Sequence, residues 1–206
     1  MGVIYASLTA TRQSDFKKTV AYSSIAHMNL VVVGIFSFNF IGIQGAIYQS
    51  LSHGFVASAL FFIIGIVYDR HKTRVLKYYS GLVHLMPLYS AIFLFFTMSN
   101  IGLPGTGGFV GEFLILLGSI KVNTVSTFFS GLGVVLSSCY SLWLFNRIVY
   151  GNLKTQYSIS FIDLNKLELL VFMPLILGTI FMGLVPEIFV ISIRMSLNFL
   201  IELLYF

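Results

Sequence analysis

The sequence predicts an all-α membrane protein of about five transmembrane helices, and three observations support that class. Of its 206 residues, 57% are hydrophobic and only 9% are charged, whereas a soluble domain carries about 25% charged residues. Several apolar segments reach the roughly 20 residues that a helix needs to cross a bilayer. The basic residues lie in short loops between those segments, which indicates membrane orientation rather than nucleic-acid binding despite the net charge of +5.

Five apolar segments reach that length, and one of them is longer than a single span requires. They are residues 19–38, 42–67, 82–120, 125–146 and 169–186. Residues 1–11 are also apolar but amount to about half a span. Residues 187–206 place charges between apolar residues at helical spacing, which favours an amphipathic interfacial helix over a sixth span. The chain therefore divides into a partial span with its loop (1–18), a membrane domain (19–186) and that C-terminal helix.

Charge decides how often the long segment 82–120 crosses the membrane. Its length would allow a two-span hairpin, but a single crossing brings the loops at 12–18, 69–77 and 147–168 to one side. These loops hold ten of the twelve Lys and Arg residues: Arg12, Lys17, Lys18, Arg70, Lys72, Arg74, Lys77, Arg147, Lys154 and Lys166. Because basic loops gather on the cytosol-equivalent side of a membrane, the sequence predicts one crossing.

A helix-breaking run inside that segment would divide the crossing into two half-helices. The run is NIGLPGTGGFVG at residues 100–111, and its predicted hinge residues are Pro104, Gly105, Gly107 and Gly108. Proline lacks a backbone N–H, and glycine adopts conformations that other residues avoid. Irregular backbone at membrane depth is tolerated only where protein or a water-filled cavity satisfies it. The break therefore indicates an ion pathway.

One acid follows the break. Between Lys77 and Lys121 the only Asp, Glu, Lys, Arg or His residues are His84 and Glu112, and an ionisable group in a bilayer, which costs roughly 2.5–3.5 kcal/mol, usually serves a function. We expect Glu112 in the first turn of the second half-helix, where the helix dipole favours its charged form while burial favours its protonated form. It could therefore take up and release a proton. The alternative is a helix-capping carboxylate without a transport role.

Two histidines lie within the predicted spans. Histidine is the residue type that titrates nearest neutral pH, so His53 could relay protons, or it could be a neutral imidazole satisfied by a helix backbone or a hydroxyl. Small residues that leave room for water flank it: Ser52, Gly54 and Ser58. His27 lies four residues after Ser23 and therefore on the same helix face. That pair could be a proton wire or two mutually satisfied polar groups, and the second interpretation is slightly favoured.

The charged residues Asp69, Arg70 and Arg74 at the end of the second span are predicted to be solvated anchors at the membrane edge. The chain contains no phosphate-binding glycine loop, no Cys-x-x-Cys and no His pair at metal spacing. The single Cys139 also allows no disulfide within the chain. We therefore expect no nucleotide, haem, iron–sulfur cluster or metal to bind here.

Four long motifs, in order along the chain, resemble the subunit 4 family of respiratory NADH:ubiquinone oxidoreductase (complex I). They are residues 12–28, 51–61, 68–74 and 100–113, and residues 140–147 continue the match. The wider family includes bacterial multi-subunit sodium/proton antiporters. The resemblance implies the second of two inverted repeats, each with a broken helix, in a fold whose ionisable residues form a polar axis along the membrane midplane.

The resemblance also implies a function and a set of site residues. By the resemblance, Glu112 would be the acid of the broken helix, His53 would lie on the neighbouring helix and His27 on the helix before it. All three would take part in proton translocation. Asp69, Arg70 and Arg74 would lie on the matrix side of the mitochondrial inner membrane. Electron transfer belongs to other subunits, so NADH, FMN, iron–sulfur clusters and ubiquinone are expected to bind outside this chain.

The family's chains are much longer, and the first repeat with its membrane lysines has no counterpart here. The sequence therefore indicates a half-subunit, from a split gene or a fragment. Its expected partners are other membrane-arm subunits, a separate polypeptide carrying the first half, and lipids, with no nucleic acid. Two alternatives remain open: a structural scaffold without pumping, and a piece of a sodium/proton antiporter.

Overall fold

The computed structural model describes residues 1–152 and 162–204, and within these ranges the chain is a bundle of nine α-helices. They are α1 (Gly2–Thr11), α2 (Phe16–Phe36), α3 (Phe40–His71), α4 (Leu82–Leu85), α5 (Pro87–Ile101), α6 (Gly107–Ile120), α7 (Thr124–Val149), α8 (Lys166–Leu184) and α9 (Pro186–Leu204). Four of them, α2, α3, α7 and α8, are long and apolar enough to cross a membrane. The predicted all-α membrane fold is confirmed.

The sequence predicts a short apolar helix near the N-terminus and an amphipathic helix near the C-terminus, and the structure has α1 and α9 there. The ten residues of α1 reach only about half of a bilayer core at 1.5 Å per residue. Near the C-terminus, α9 lies against α3, where Gln44 Nε2 donates a hydrogen bond of 3.0 Å to the carbonyl of Val190. The Tyr48 and Phe189 rings meet edge to face beside it. The division of the chain at residues 18 and 186 stays a prediction.

Together, α5 and α6 make one broken crossing along α3. Three contacts follow one another along α3. Gly42 of α3 lies against Gly118 of α6, Gln49 lies against Gly111 of α6, and Ile63 lies against Tyr89 of α5. Residue numbers therefore fall from α6 to α5 as they rise along α3, whereas a hairpin would turn back on itself. Glycine permits this close packing, because a Cβ on Gly45 would lie 2.7 Å from both the Cβ of Leu114 and the amide nitrogen of Ile115. The predicted single crossing is confirmed.

The break itself is a short turn between two glycine-rich helix ends. Gly102, with φ of +81°, ends α5, and its N–H and that of Leu103 bond back to the carbonyls of Ser99 and Met98, which is the usual way a glycine closes a helix. Pro104 and Gly105 (φ +98°) follow in the connection.

Of the four predicted hinge residues, Pro104 and Gly105 lie in this connection, while Gly107 and Gly108 are the first two residues of α6. Gly102 is a fifth residue of the break, which the predicted set of hinge residues omitted. The end of α8 presses on the break, since a Cβ on Gly183 would collide with the carbonyl of Gly105. That the break moves as a hinge stays a prediction.

The three basic loops meet at one end of the bundle. The N–H of Phe16 donates to the carbonyl of Arg74, and the N–H of Leu76 donates to the carbonyl of Ser14, both at 2.9 Å. The third loop joins them through Arg70, whose Nη2 lies 2.8 Å from Glu168 Oε2. A single crossing requires this common end. Lys154, one of the ten predicted basic residues, lies outside the described residues.

Candidate functional site at the broken helix

Glu112 is buried between three helices, with only 6% of its surface exposed. Its Oε1 lies 3.1 Å from His27 Nδ1 on α2 and accepts a long, 3.5 Å hydrogen bond from Gln49 Nε2 on α3. Its Oε2 lies beside Gly102, where a Cβ would come within 3.0 Å of it. A larger residue at the end of α5 would therefore press on the carboxylate.

Two expectations for Glu112 are wrong. It is the sixth residue of α6, so it lies beyond the first turn, and the field of a helix dipole has largely faded there. It is not a cap either, because the cap residue is Thr106 and the carboxylate of Glu112 contacts residues of α2 and α3. The sequence could not show this, because the exact residue where α6 begins depends on the turn before it.

His27 reaches Glu112 from α2 and is 4% exposed. The predicted pair between Ser23 and His27 is wrong. The Ser23 hydroxyl donates instead to the carbonyl of Val20, at 2.7 Å, since a serine within a helix readily bonds to the carbonyl three or four residues earlier. The partner of His27 is an acid 85 residues away in the sequence.

His53 lies on α3 with its ring centroid 5.2 Å from that of His27. Its Nε2 is buried and has no hydrogen-bond partner within the described part of the chain, so the alternative of a hydrogen-bonded structural imidazole finds no support at this atom. Of its small neighbours, only Ser52 faces the same cavity, while Gly54 and Ser58 are exposed on other faces of α3.

A small cavity lies beside these groups, and it collects unpartnered polar atoms. Within residues 1–152 and 162–198, six buried atoms that line it have no hydrogen-bond partner: His27 Nε2, Gln49 Oε1, Ser52 Oγ, His53 Nε2, Ser99 Oγ and Asn100 Oδ1. The cavity leaves about 10 Å³ for the centres of water molecules, which is room for about one water. Because folded proteins satisfy nearly all buried polar atoms, commonly with ordered water, these six atoms mark the cavity as a polar site that can hydrogen-bond a water molecule.

Sequence reasoning missed four residues of this site, and one of them is Ser99 at the cavity. Gln49 lies four residues before His53 and therefore on the same face of α3, which is a signal that could have identified it. Asn100 is the last polar residue before the break and borders the cavity. Tyr140, on α7, is buried near Ser23 and Glu112, and its hydroxyl has no partner in the described residues. Nothing in its sequence surroundings distinguishes it from a packing residue.

The charged residues at the loop-bearing end divide into two kinds. Asp69 is exposed and lies 3.6 Å from Lys72, and the guanidinium of Arg74 lies 4.4 Å from the centre of the Tyr68 ring, as expected of solvated anchors. Arg70 differs, since its side chain is only 16% exposed and pairs with Glu168. The prediction of a solvated anchor is wrong for Arg70, because its partner comes from a distant part of the sequence.

Arg70, Glu168 and Asp163 form a group that we call the clamp. Arg70 Nη2 also donates to the carbonyl of Asp163, at 3.2 Å. The carboxylate of Asp163 accepts from the backbone N–H groups of Leu88 (2.9 Å) and Tyr89 (3.2 Å). Residues in the first turn of α5 have no partner for these N–H groups within the helix itself. By accepting them, the clamp joins the end of α3 and the start of α8 to the start of α5.

The described residues include no group of three or more His, Cys, Asp or Glu side chains placed to hold a metal ion. The expectation that redox cofactors bind outside this chain stays a prediction. The site holds a carboxylate and two imidazoles beside a polar cavity, in the spatial order Glu112, His27 and His53. Groups of these types can exchange protons.

A helical membrane bundle with one crossing broken beside a buried acid–histidine pair defines an antiporter-like membrane protein. The family model described as NADH:quinone oxidoreductase/Mrp antiporter, TM, matches residues 1–141, and the chain belongs to this family. The predicted resemblance to the C-terminal half of complex I subunit 4 is also confirmed, by the following relatives.

The chain is 52% identical to NADH-ubiquinone oxidoreductase chain 4 of Marchantia polymorpha, over 98% of this chain and 41% of that protein. It is 47% identical to NADH-quinone oxidoreductase subunit M of Rhodobacter capsulatus, over 98% of this chain and 40% of that protein. The chain therefore spans about two fifths of the length of these curated relatives.

Solved structures agree on the fold. A chain of respiratory complex I from Thermus thermophilus with bound NADH superimposes with a TM-score of 0.88 at 29% identity, over 94% of this chain and 40% of that one. A chain of the Mrp complex from Dietzia sp. superimposes with a TM-score of 0.70 at 23% identity, over 74% of this chain and 29% of that one. The second similarity concerns the fold alone.

Proposed function

We propose that this chain is part of the proton-translocating membrane arm of respiratory NADH:ubiquinone oxidoreductase. In this proposal it couples NADH oxidation and quinone reduction, which occur elsewhere in the complex, to proton movement through a half-channel. The observation that carries the proposal is the buried contact of 3.1 Å between His27 Nδ1 and Glu112 Oε1, beside a cavity lined by unpartnered polar atoms. Membership of the family supports the same function.

The geometry favours a relay of single protons. A neutral His27 that donates its Nδ1–H to Glu112 leaves its Nε2 as an acceptor facing the cavity. A proton taken up at Nε2 lets the imidazolium release the Nδ1 proton to Glu112 Oε1, which returns the ring to neutrality. A positive charge on His27 disfavours a second positive charge on His53, whose ring centre is 5.2 Å away. The two rings therefore share one added proton, and only one of them is an imidazolium at a time.

The partners and location follow from the same proposal. The chain would lie in the mitochondrial inner membrane as a multi-pass protein, with the basic loops and Arg70 on the matrix side, among other membrane-arm subunits. NADH, FMN, iron–sulfur clusters and ubiquinone would bind those other subunits. A separate polypeptide carrying the first half would supply membrane lysines opposite Glu112 and His53, since intramembrane charges usually pair across helices.

The proposal is tested by Glu112→Gln in the assembled complex, because Gln keeps the size and hydrogen bonding of the side chain and removes its titratable proton. We expect normal assembly and cofactor content, with fewer protons pumped per NADH oxidised. The transfer step through the site should slow by about a hundredfold or more, as is typical when a general acid–base group is lost. The matched control is Glu187→Gln, the same change at an exposed position of α9.

Pumping at the wild-type ratio in Glu112→Gln would exclude an essential role for this acid and would favour the scaffold alternative. A pumping ratio that depends on sodium at fixed pH, in the wild-type complex and not in Glu112→Gln, would favour the antiporter alternative. Loss of pumping in both Glu112→Gln and Glu187→Gln would point to a general effect of removing an acid.

A further inference from the structure

A basic pocket opens at the loop-bearing end of the bundle. It lies between the end of α1, the segment that follows α3 and the last turns of α7, and its volume is about 380 Å³. Three of its lining residues are cationic: Arg12, Lys77 and Arg147. Its described lining residues include no carboxylate, so the charged side chains of the lining are all cationic.

The two arginines of this pocket form no ion pair with the acids of the described residues. Within the described part of the chain, neither Arg12 nor Arg147 has a carboxylate within ion-pair distance, and Asp15, the nearest acid in sequence to Arg12, lies 3.5 Å from Lys18 instead. The Arg147 guanidinium lies 5.1 Å from the centre of the Trp143 ring. An aromatic face holds a guanidinium in place without cancelling its charge.

An apolar path leads from the pocket toward the middle of the bundle. On α1, Tyr5 and Leu8 are 72% and 50% exposed, and at helical spacing they fall on the same face as Arg12. On α7, which packs against α1, Val135 and Trp143 are 59% and 40% exposed along one stripe. Each of these two apolar stripes ends at one of the arginines of the pocket.

We propose that this pocket binds the phosphate group of an anionic phospholipid, whose acyl chains lie along the exposed stripes of α1 and α7. Arginine matches phosphate oxygens with paired hydrogen bonds, and basic pockets at the edge of membrane helices attract anionic headgroups. Tryptophan is enriched at headgroup depth, where Trp143 would lie. A free phosphate ion would complement the three cations but would leave both apolar stripes without a partner, so the lipid fits more of the surface.

The test uses the assembled complex that contains this chain, reconstituted in phosphatidylcholine nanodiscs with a photoreactive phosphatidylglycerol as the probe. We expect the probe to label peptides of α1 and α7 several-fold more than a photoreactive phosphatidylcholine does. Added inorganic phosphate should not displace it. Equal labelling by the two lipids, no labelling because another polypeptide covers this face, or displacement by inorganic phosphate would each overturn the proposal.

A charge-matched pair of variants locates the site. The double variant Arg12→Gln with Arg147→Gln removes two pocket cations, and at roughly fivefold in affinity for each basic residue near a membrane surface, labelling should fall by about twenty-fivefold. The control Lys17→Gln with Arg74→Gln removes the same charge at the same end, outside the pocket, and should label normally. Equal labelling of the two double variants would contradict the proposal. If the pocket variant fails to assemble, the labelling of the wild-type complex by the two lipid probes still tests whether the pocket prefers an anionic lipid.

Discussion

Two groups of polar side chains in the described part of the chain differ in their burial and in their hydrogen bonding. The clamp is half-buried: Glu168 and Asp163 accept hydrogen bonds of 2.8–3.2 Å from Arg70 and from backbone N–H groups at the start of α5, although Arg70 Nη1 has no partner in the described residues. Beside Glu112, six polar atoms around one cavity have no partner in the described residues. Satisfied groups fix helices in place, whereas unsatisfied groups can exchange partners. This difference favours a structural role for the clamp and agrees with the proton transfer that we propose at Glu112.

The largest effect is expected where α3 and α6 approach each other closely at a glycine. In Gly45→Ala the new Cβ would lie 2.7 Å from the backbone of α6, while in Gly54→Ala, on the same helix, it would meet nothing within 4 Å. Overpacking typically costs about 1–3 kcal/mol. We expect Gly45→Ala to lower the amount and the melting temperature of the assembled complex and Gly54→Ala to change neither. Equal effects would show that this packing does not hold α6 on α3.

The next largest effect should come from His27→Gln, because it removes the relay between the cavity and Glu112 while leaving a polar side chain. Proton transfer through the site should slow by about a hundredfold or more, measured as protons pumped per NADH oxidised. Ser23→Ala is the control, since the Ser23 hydroxyl lies on the same helix but donates to the carbonyl of Val20 rather than to His27. If both variants pump normally, the contact of His27 with Glu112 is structural.

A smaller effect of a different kind is expected from Asp163→Asn in the clamp. The amide keeps one acceptor oxygen but loses the negative charge that stabilises the start of α5, a loss of about 1 kcal/mol by analogy with helix caps. The complex should melt a few degrees lower with an unchanged pumping ratio. A changed ratio at full stability would mean that the clamp takes part in coupling.

The sequence predicted the features that depend on local composition and on charge. The run from Gly102 to Gly108 breaks a helix wherever it occurs, and the positions of ten basic residues distinguish one crossing from two. Residues 1–11 are too few to span. These are properties of a short segment or of the whole charge distribution, and neither requires knowledge of which helices touch.

The sequence could not predict contacts between residues far apart in the chain. Ser23 and His27 share a helix face, but the partner of His27 is Glu112 on α6. The sequence predicts a solvated anchor at Arg70, whereas in the structure its guanidinium pairs with Glu168, 98 residues away in the sequence. Gln49 could have been found from its spacing to His53, whereas Tyr140 required the position of α7 against α2. In an apolar bundle almost any face can be buried, so helix pairing has to come from the structure.

In the function that we propose, Glu112 changes its protonation state while the complex works. Infrared difference spectroscopy on the assembled complex at the onset of NADH oxidation measures this directly, through the carbonyl stretch of a protonated carboxyl group. We expect a band that appears and disappears with turnover, is absent in Glu112→Gln and persists in Glu187→Gln. A spectrum in which Glu112→Gln changes no band during turnover would contradict the claim, because the acid would then keep one protonation state throughout.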